Sequence, residues 1–306
     1  MRHLGYACIN QSFSNLPKSK RITTNRSMIR KTFDEKGLPY VSELVLQNVQ
    51  DLYKIINWNE ENGIKFYRMS SDTFPWASEY HLEQLPDFDK ILFWLQKCGT
   101  FAAKFGHRLT YHPGPFNKLC SPDERVVNNT LKDLNHHGEV MDLMGLSKTP
   151  YNKINIHVGA VYDCKKTTGE RFCKNFDLLN DSTKARLTIE NDDKASMWSA
   201  IEIYEQIYSV IGTPIVFDYH HYRFCTGGQT EEEALITSTC TWGDIVPVVH
   251  FSQSRSIEHN DSKIKPQAHS DSYWDVPNFY DQTVDVMLEC KHKEIGLFKM
   301  RQLLKG

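Results

Sequence analysis

Six short apolar segments of this sequence each end in a side chain that can bind a metal ion. These terminal residues are His112, His157, Glu190, Asp218, His250 and Glu289. Imidazole and carboxylate groups are ligands for divalent ions such as Mn²⁺, Zn²⁺, Fe²⁺ and Mg²⁺. If the segments are parallel strands, the six side chains meet where the strands end, and they would form a polynuclear site for metal-assisted chemistry.

In four of these segments, those that end in His112, His157, Glu190 and Asp218, the polar residues share one parity. In residues 154–157 asparagine and histidine alternate with isoleucine, and in residues 187–190 threonine and glutamate alternate with leucine and isoleucine. Because successive side chains of a strand point to opposite faces, the polar set would face a barrel interior. A lone histidine of this kind is usually a buried structural residue, whereas Glu190 and Asp218 each need a cation, a metal ion or a proton. The set as a whole favours a metal site.

Further candidate ligands lie just beyond the strands. His221 follows Asp218 by three residues, His269 lies after the seventh strand, and Glu79 lies after the second. Mixed oxygen and nitrogen ligation without cysteine is compatible with several divalent ions, and the residue types do not distinguish among them.

Eight runs of strand length alternate with helical patterns along the chain. The strand candidates are residues 3–9, 64–70, 108–113, 153–159, 186–191, 214–219, 245–252 and 285–290. Helical periodicity covers residues 42–62, 87–105, 123–144, 197–211, 229–240 and 291–304. This alternation predicts an α/β fold with a parallel sheet, and eight units predict a single (β/α)8 TIM barrel formed by residues 1–306 as one domain. The alternative, an open doubly wound sheet, usually carries GxGxxG after its first strand, and that motif is absent.

The composition is typical of a globular protein. Hydrophobic residues make up 40% and charged residues 24% of the chain. The sequence contains no run of about 18 apolar residues, the length that would predict a membrane span. Eight scattered cysteines without a CxxC pair predict a reduced protein without structural disulfides. The first residues lack a signal-peptide pattern, so we expect an intracellular protein that is not secreted.

Basic residues are distributed unevenly, although the net charge is only −2. Residues 11–33 contain Lys18, Lys20, Arg21, Arg26, Arg30 and Lys31 and no acidic residue. We expect these residues in a long, irregular basic loop, 11–41, after the first strand, with smaller basic groups after strands four and seven. A charge run can simply be a solvated loop, but positive loops around a carboxylate-lined pocket favour a polyanionic substrate gripped by its phosphates.

Seven motifs, in this order, connect the sequence to a known family. They are residues 6–10 (YACIN), 68–75 (RMSSDTFP), 111–114 (YHPG), 155–159 (NIHVG), 188–193 (TIENDD), 217–221 (FDYHH) and 287–294 (MLECKHKE). In this combination the chain resembles the UV-damage endonuclease family from residue 1 to about 295.

The resemblance implies a xylose-isomerase-like TIM barrel that acts in DNA repair. Family members nick the strand immediately 5′ of ultraviolet photoproducts (cyclobutane pyrimidine dimers and 6-4 photoproducts), leave a 3′-hydroxyl and a 5′-phosphate, and in many cases accept abasic sites. We therefore expect a monomer that binds double-stranded DNA containing UV lesions and no membrane, in whichever compartment holds DNA.

The family's divalent ions, two or three in number, map onto specific residues here. Mn²⁺ is the first expectation, with Zn²⁺ or Mg²⁺ as alternatives. The implied ligands are His112, His157, Glu190, Asp218, His221, His250, His269 and Glu289, and the implied catalytic set is Glu190, Asp218, Glu289, His112 and His157. Tyr6 and Asn10 match lesion-pocket positions, and Lys18, Lys20, Arg21 and Arg26 are expected to contact DNA.

The sequence departs from the family pattern at three places. Glu79 replaces a ligand histidine and could bind the same metal with altered charge. Pro115 and Phe116 replace a Gln-Tyr pair that wedges into the duplex; Phe116 can still stack, but the amide donor is lost. Val248 replaces a lysine that some members carry modified, two residues before the histidine of strand seven.

Other functions remain open on the same barrel. An abasic-site endonuclease would share the metals but ignore photodimers, and a sugar isomerase would not need the basic loops. A catalytically silent damage-binding protein would have lost ligands, whereas most of the family's ligands are present.

Overall fold

Eight parallel strands form one ring in the structure, a computed structural model that describes residues 3–306. The strands are β1 (Leu4–Ala7), β2 (Phe66–Arg68), β3 (Arg108–Thr110), β4 (Ile154–His157), β5 (Leu187–Glu190), β6 (Ile215–Asp218), β7 (Val248–Phe251) and β8 (Asp285–Leu288). Their order is β3-β2-β1-β8-β7-β6-β5-β4, and a parallel bridge between Tyr111 and Ile154 joins β3 to β4. The predicted α/β barrel is confirmed, and the doubly wound alternative is wrong.

Helices surround this ring. The longer ones are α1 (Arg30–Glu61), α2 (Phe88–Phe105), α3 (Glu124–Leu143), α4 (Lys165–Phe176), α5 (Ala200–Ile203, continued by the π-helical Tyr204–Tyr208 and by Ser209–Ile211), α6 (Glu231–Thr239) and α7 (Lys293–Leu303). Short helices span Gln11–Ser14, Asp181–Lys184, Tyr219–Tyr222 and Arg255–Glu258. Short 3₁₀ turns span Lys18–Lys20, Ser71–Thr73, Ala77–Glu79, Leu82–Gln84, Pro150–Asn152 and Cys240–Trp242. The periodicity did not predict α4, because its buried face includes Thr168 and Gly169 as well as apolar residues.

The prediction of a loop over residues 11–41 is wrong for its second half, because α1 begins at Arg30. The first turns of α1 are stabilised by ion pairs from Arg30 to Asp34 and from Lys31 to Glu35 rather than by an apolar stripe. Gly37 then breaks the helix with a φ of +61°, a conformation that favours glycine. The apolar periodicity starts only after this break.

The alternation of polar and apolar residues separates the two sides of the barrel wall. Ile156 and Ile189 belong to the apolar core, while Thr188 donates a 2.8 Å hydrogen bond to Asn155, which in turn donates to Glu190. The polar side chains of these strands therefore face the barrel interior, as far as the C-terminal ends of the strands. None of the helices within residues 3–306 is long and apolar enough to cross a membrane.

Candidate metal centre

Strand register brings the predicted ligands to one level. His157 on β4 pairs with Glu190 on β5, and Asp218 on β6 pairs with His250 on β7. Glu289 follows β8 directly. Because all strands are parallel, these residues occupy the C-terminal rim of the barrel, where TIM-barrel proteins keep their chemistry.

Glu190 is the centre of this arrangement and is fully buried. Its Oε2 lies 3.1 Å from Nε2 of His112 and 3.1 Å from Nδ1 of His250. Its Oε1 lies 3.2 Å from Nδ1 of His221, and Nε2 of His157 is 3.9 Å from Oε2. One carboxylate thus faces four imidazoles.

At the rim, three sets of side chains could each hold one ion, and Glu190 belongs to all three. The sets are His112–Glu190–His250, His157–Glu190–His221 and Glu190–Asp218–His250–Glu289, and within each set the ligand atoms lie within 4.8 Å of one another. The structure therefore brings together seven of the nine predicted ligands.

The rim also contains buried polar atoms that lack a hydrogen-bond partner among the described residues. Oε1 of Glu190, Oδ2 of Asp218 and Nδ1 of His250 are among them. A buried polar atom left without a partner costs free energy, and such atoms need an explanation. A divalent cation would satisfy all three atoms, so the residues present fit bound metal ions.

The histidines are held so that one ring nitrogen is turned to the cluster. Nδ1 of His112 lies 3.2 Å from the carbonyl oxygen of Pro113, which leaves Nε2 facing Glu190. His250 has the reverse arrangement, with Nε2 3.2 Å from Nζ of Lys153 and Nδ1 facing the carboxylates. Such outer contacts fix ring orientation in metal sites.

Burial and neighbouring charges oppose one another at the carboxylates. Burial disfavours the charged form of Glu190, but His250 and the other imidazoles hold its pKa well below the usual value. Burial acts likewise on Glu289, whose pKa is held low chiefly by the ion pair with Arg68. Burial, reinforced by the other two carboxylates, raises the pKa of Asp218 to about 6. All three carboxylates are thus largely ionised at neutral pH and able to attract a cation, and Asp218 is the first of them to be protonated as the pH falls.

His269 and Glu79 are outside these three sets at the rim. His269 lies beside them, with its ring centroid 6.2 Å from that of His221 and Nδ1 2.7 Å from Oγ of Ser252. Glu79 lies elsewhere: it ends a 3₁₀ turn and pairs with Arg30 at 3.2 Å. The structure therefore does not bring Glu79 together with the seven rim residues, because the turn directs this carboxylate toward α1.

Tyr6 and Asn10, which match lesion-pocket positions of the family, are buried within the fold. The hydroxyl of Tyr6 donates to Asn59 at 2.8 Å, and Asn10 donates to that hydroxyl at 3.0 Å. Asn10 also caps the helix Gln11–Ser14 by accepting from Phe13. Tyr6 lies on the face of β1 that points toward the helices, so the Tyr6 and Asn10 side chains link β1 to α1.

Pro115 and Phe116 lie at the mouth of the centre. They belong to the loop after β3, and the Phe116 side chain is 87% exposed. A cavity of about 300 Å³ opens beside this loop, and Pro115, His157 and His221 are among its lining residues. An exposed aromatic ring therefore stands next to the path into the metal centre.

The predicted DNA-contacting basic residues divide into two groups. Lys18 and Lys20 are exposed on a short 3₁₀ turn, without a side-chain partner in the part of the chain that the structure describes. Arg21 is also exposed, although it donates to the carbonyl of Leu16. Arg26, by contrast, forms a 2.6 Å ion pair with Asp51 of α1, so this side chain holds the segment to the barrel.

Sequence reasoning missed several side chains that support the ligands. Arg68 pairs with Glu289, Lys153 contacts His250, and Asp192 lies 3.1 Å from Nδ1 of His157. Lys153 shares the inward parity of Asn155, which was an available signal. Val248 is fully buried, as an inward apolar residue of β7.

Fold and site together define a TIM-barrel protein with a candidate polynuclear metal centre at its C-terminal rim. The chain belongs to the UV-endonuclease UvdE family, whose model matches residues 2–306. The predicted family resemblance is thereby confirmed.

Individual relatives support this assignment. A UV-damage endonuclease of Schizosaccharomyces pombe is 36% identical over 97% of this chain, which spans half the length of that relative. A UV DNA damage endonuclease of Clostridium perfringens is 31% identical over 99% of this chain and 70% of its own length. The crystal structure of SacUVDE has a TM-score of 0.84 at 29% identity and covers 99% of this chain and 98% of its own.

More distant neighbours share the fold alone. A D-psicose 3-epimerase from Clostridium cellulolyticum H10 is 12% identical with a TM-score of 0.53, and the match covers 83% of this chain and 94% of the epimerase. This likeness agrees with the barrel fold described above.

Proposed function

We propose that this protein is a metal-dependent endodeoxyribonuclease that nicks duplex DNA immediately 5′ of UV photoproducts and leaves a 3′-hydroxyl and a 5′-phosphate. The observation that carries the proposal is the membership of Glu190 in all three ligand sets, in a chain that matches the UvdE family over residues 2–306. A single shared carboxylate suits a site in which several ions act on one phosphodiester.

Two or three divalent ions, with Mn²⁺ as the first expectation, would be held by the rim residues. The ligands are His112, His157, Glu190, Asp218, His221, His250 and Glu289, with His269 beside them. When bound there, such ions supply a Lewis acid for the phosphate and an activated water. The chain contributes ionised carboxylates and imidazoles of fixed orientation, and its low-dielectric cavity strengthens their action on the substrate.

DNA would be bound by groups around this cavity. Lys18, Lys20 and Arg21 would contact phosphates, a sequence-independent interaction that positions the duplex. Phe116 would insert beside the lesion. Damaged bases stack and pair poorly, so taking them out of the helix costs less free energy than flipping a normal base. That difference would favour lesions before any base-specific contact forms.

The proposal includes a monomer that acts inside the cell wherever DNA is held. The relatives named above carry the names of DNA-damage endonucleases, which supports a substrate of damaged DNA.

An end-labelled duplex with one thymine dimer provides the test. Purified protein with Mn²⁺ should produce one nick immediately 5′ of the dimer, and the Glu190→Ala variant should produce none. Cutting only a duplex with an abasic site would instead establish an abasic-site endonuclease. Binding of the dimer duplex without cutting in the presence of Mn²⁺ would contradict the proposed activity.

A further inference from the structure

The two ring nitrogens of His157 face different carboxylates. Nδ1 lies 3.1 Å from Oδ1 of Asp192, and Nε2 lies 3.9 Å from Oε2 of Glu190. A carboxylate can only accept a hydrogen bond, and Asp192 is the nearer of the two carboxylates, so the proton of a neutral imidazole belongs on Nδ1. Nε2 then keeps its lone pair on the side of the ligand cluster.

Asp192 is itself fixed to the barrel framework. It is buried, its backbone N–H donates to the carbonyl of Trp198 at 2.8 Å, and its Oδ2 accepts from the backbone N–H of Trp198 at 3.3 Å. Trp198 is fully buried and donates through Nε1 to the carbonyl of Ala160 at 2.9 Å. The Asp192 carboxylate therefore has a fixed position, and its contact with Nδ1 restricts the orientation of the His157 ring.

His157 differs in this respect from the other histidines of the ligand sets. Nδ1 of His112 faces the carbonyl oxygen of Pro113, and Nδ1 of His221, which also faces Glu190, lies 2.9 Å from the carbonyl oxygen of Asn191. Within residues 3–306, only His157 among these histidines has a carboxylate partner from outside the three sets. A carboxylate partner makes an imidazole a more basic ligand than a neutral carbonyl does.

We propose that Asp192 is a positioning residue that holds His157 in the tautomer and orientation needed to bind a divalent ion together with Glu190 and His221. The inference rests on the metal centre of the proposed function and concerns how strongly that centre holds the ion of this set. Asp192 acts through His157 and does not contact the substrate.

Asp193 provides a matched control. It is the next residue in the chain and lines the same mouth, but among the contacts of the described residues it has no hydrogen bond or ion pair with His157. The experiment is a Mn²⁺ titration of metal-free proteins in which electron paramagnetic resonance measures the concentration of free Mn²⁺. It compares the wild type with the variants Asp192→Ala, Asp192→Asn, Asp193→Ala and Asp193→Asn. For the Mn²⁺ ion bound by His157, Glu190 and His221, we expect Asp192→Ala to weaken binding by about 10–100-fold. The Asp193 variants should match wild type.

Asp192→Asn should lose less, because its amide oxygen can still accept from Nδ1 while the charge is gone. If Asp192→Ala does not fold, as judged by circular dichroism, the comparison of Asp192→Asn with Asp193→Asn tests the positioning role of Asp192. Equal Mn²⁺ affinities of these two variants would overturn the proposal.

A double-mutant cycle separates positioning from general damage. In a His157→Ala background, Asp192→Ala should weaken Mn²⁺ binding no further, whereas additive losses would show that Asp192 does not act through His157. No DNA is present in these titrations. A protein that shows these effects yet fails to nick damaged DNA would refute the proposed function and leave this inference standing.

Discussion

Oε2 of Glu190 lies 3.1 Å from Nδ1 of His250, although β6 separates the strands that carry them. Side chains on non-neighbouring strands meet at this distance only if both point toward the barrel axis. The same inward direction brings His112, two residues beyond β3, to 3.1 Å from Glu190. The centre is therefore built across the barrel mouth, and each of its members depends on closure of the ring.

Removal of the shared carboxylate should abolish metal-dependent stabilisation. Ions that bind only the folded state add about 2.7 kcal/mol to the free energy of unfolding when free ion exceeds the dissociation constant 100-fold. Wild-type protein should thus melt at a higher temperature with Mn²⁺ than with a chelator, and Glu190→Gln should lose most of that difference. Glu139→Gln, outside the ligand sets of the described residues, serves as control. An unchanged Mn²⁺ response in Glu190→Gln would count against a centre organised by this residue.

Phe116→Ala should impair nicking without affecting the metal centre. A ring that stacks with bases contributes roughly 1–3 kcal/mol, so kcat/KM on a dimer duplex should fall about 5- to 150-fold. Mn²⁺ titration should give the wild-type curve. Phe93, on α2, is also exposed and provides the control Phe93→Ala. Equal rates for both variants would exclude insertion by Phe116.

Lys18 and Lys20 should contribute to the salt dependence of DNA binding. Each lysine that neutralises a phosphate of duplex DNA adds about 0.9 to the slope of log K against log salt. The double variant Lys18→Gln/Lys20→Gln should reduce that slope by roughly 1.8. A double variant of Lys104 and Lys299, on α2 and α7, changes the net charge equally, and its slope should remain that of wild type. Identical slopes for both double variants would show that the 3₁₀ turn does not face DNA.

The ion pair between Arg186 and Asp142 should contribute to stability in a pH-dependent way. Arg186 is fully buried, and its Nη1 lies 2.8 Å from Oδ1 of Asp142. Burial opposes ionisation of Asp142, but hydrogen bonds from Arg186 hold its pKa below the usual value. A lowered folded-state pKa means that this contribution is present above the unfolded value of about 3.9 and is lost as pH falls through the folded value.

Asp142→Asn should therefore lower the free energy of unfolding by about 1–3 kcal/mol at pH 7. Urea denaturation in the presence of a chelator measures this loss, and the difference from wild type should shrink as the pH falls below about 4. The control is Asp177→Asn, at an exposed position after α4. A difference that stays constant down to low pH would exclude the ionised pair as its cause.

The sequence by itself determined the barrel and its rim. Eight short runs of strand length predict strands, several of them with period-two alternation, and in a parallel barrel the last inward residue of each strand reaches one rim. Both signals are local, so His157, Glu190 and Asp218 could be identified from their positions alone. The first half of α1 was not predicted, because its charged surface lacks the apolar period on which the prediction relied.

Tertiary structure decided which partner each polar side chain finds. It buried Tyr6 against Asn59, directed Glu79 to Arg30 and paired Arg26 with Asp51. It also placed Asp192 behind His157. These contacts, apart from that of Asp192, join residues of the first two βα units through loops and helix faces that carry no period. Alternation fixes the face on which a side chain lies, but its partner depends on how distant segments pack, and short sequence patterns contain no record of that packing.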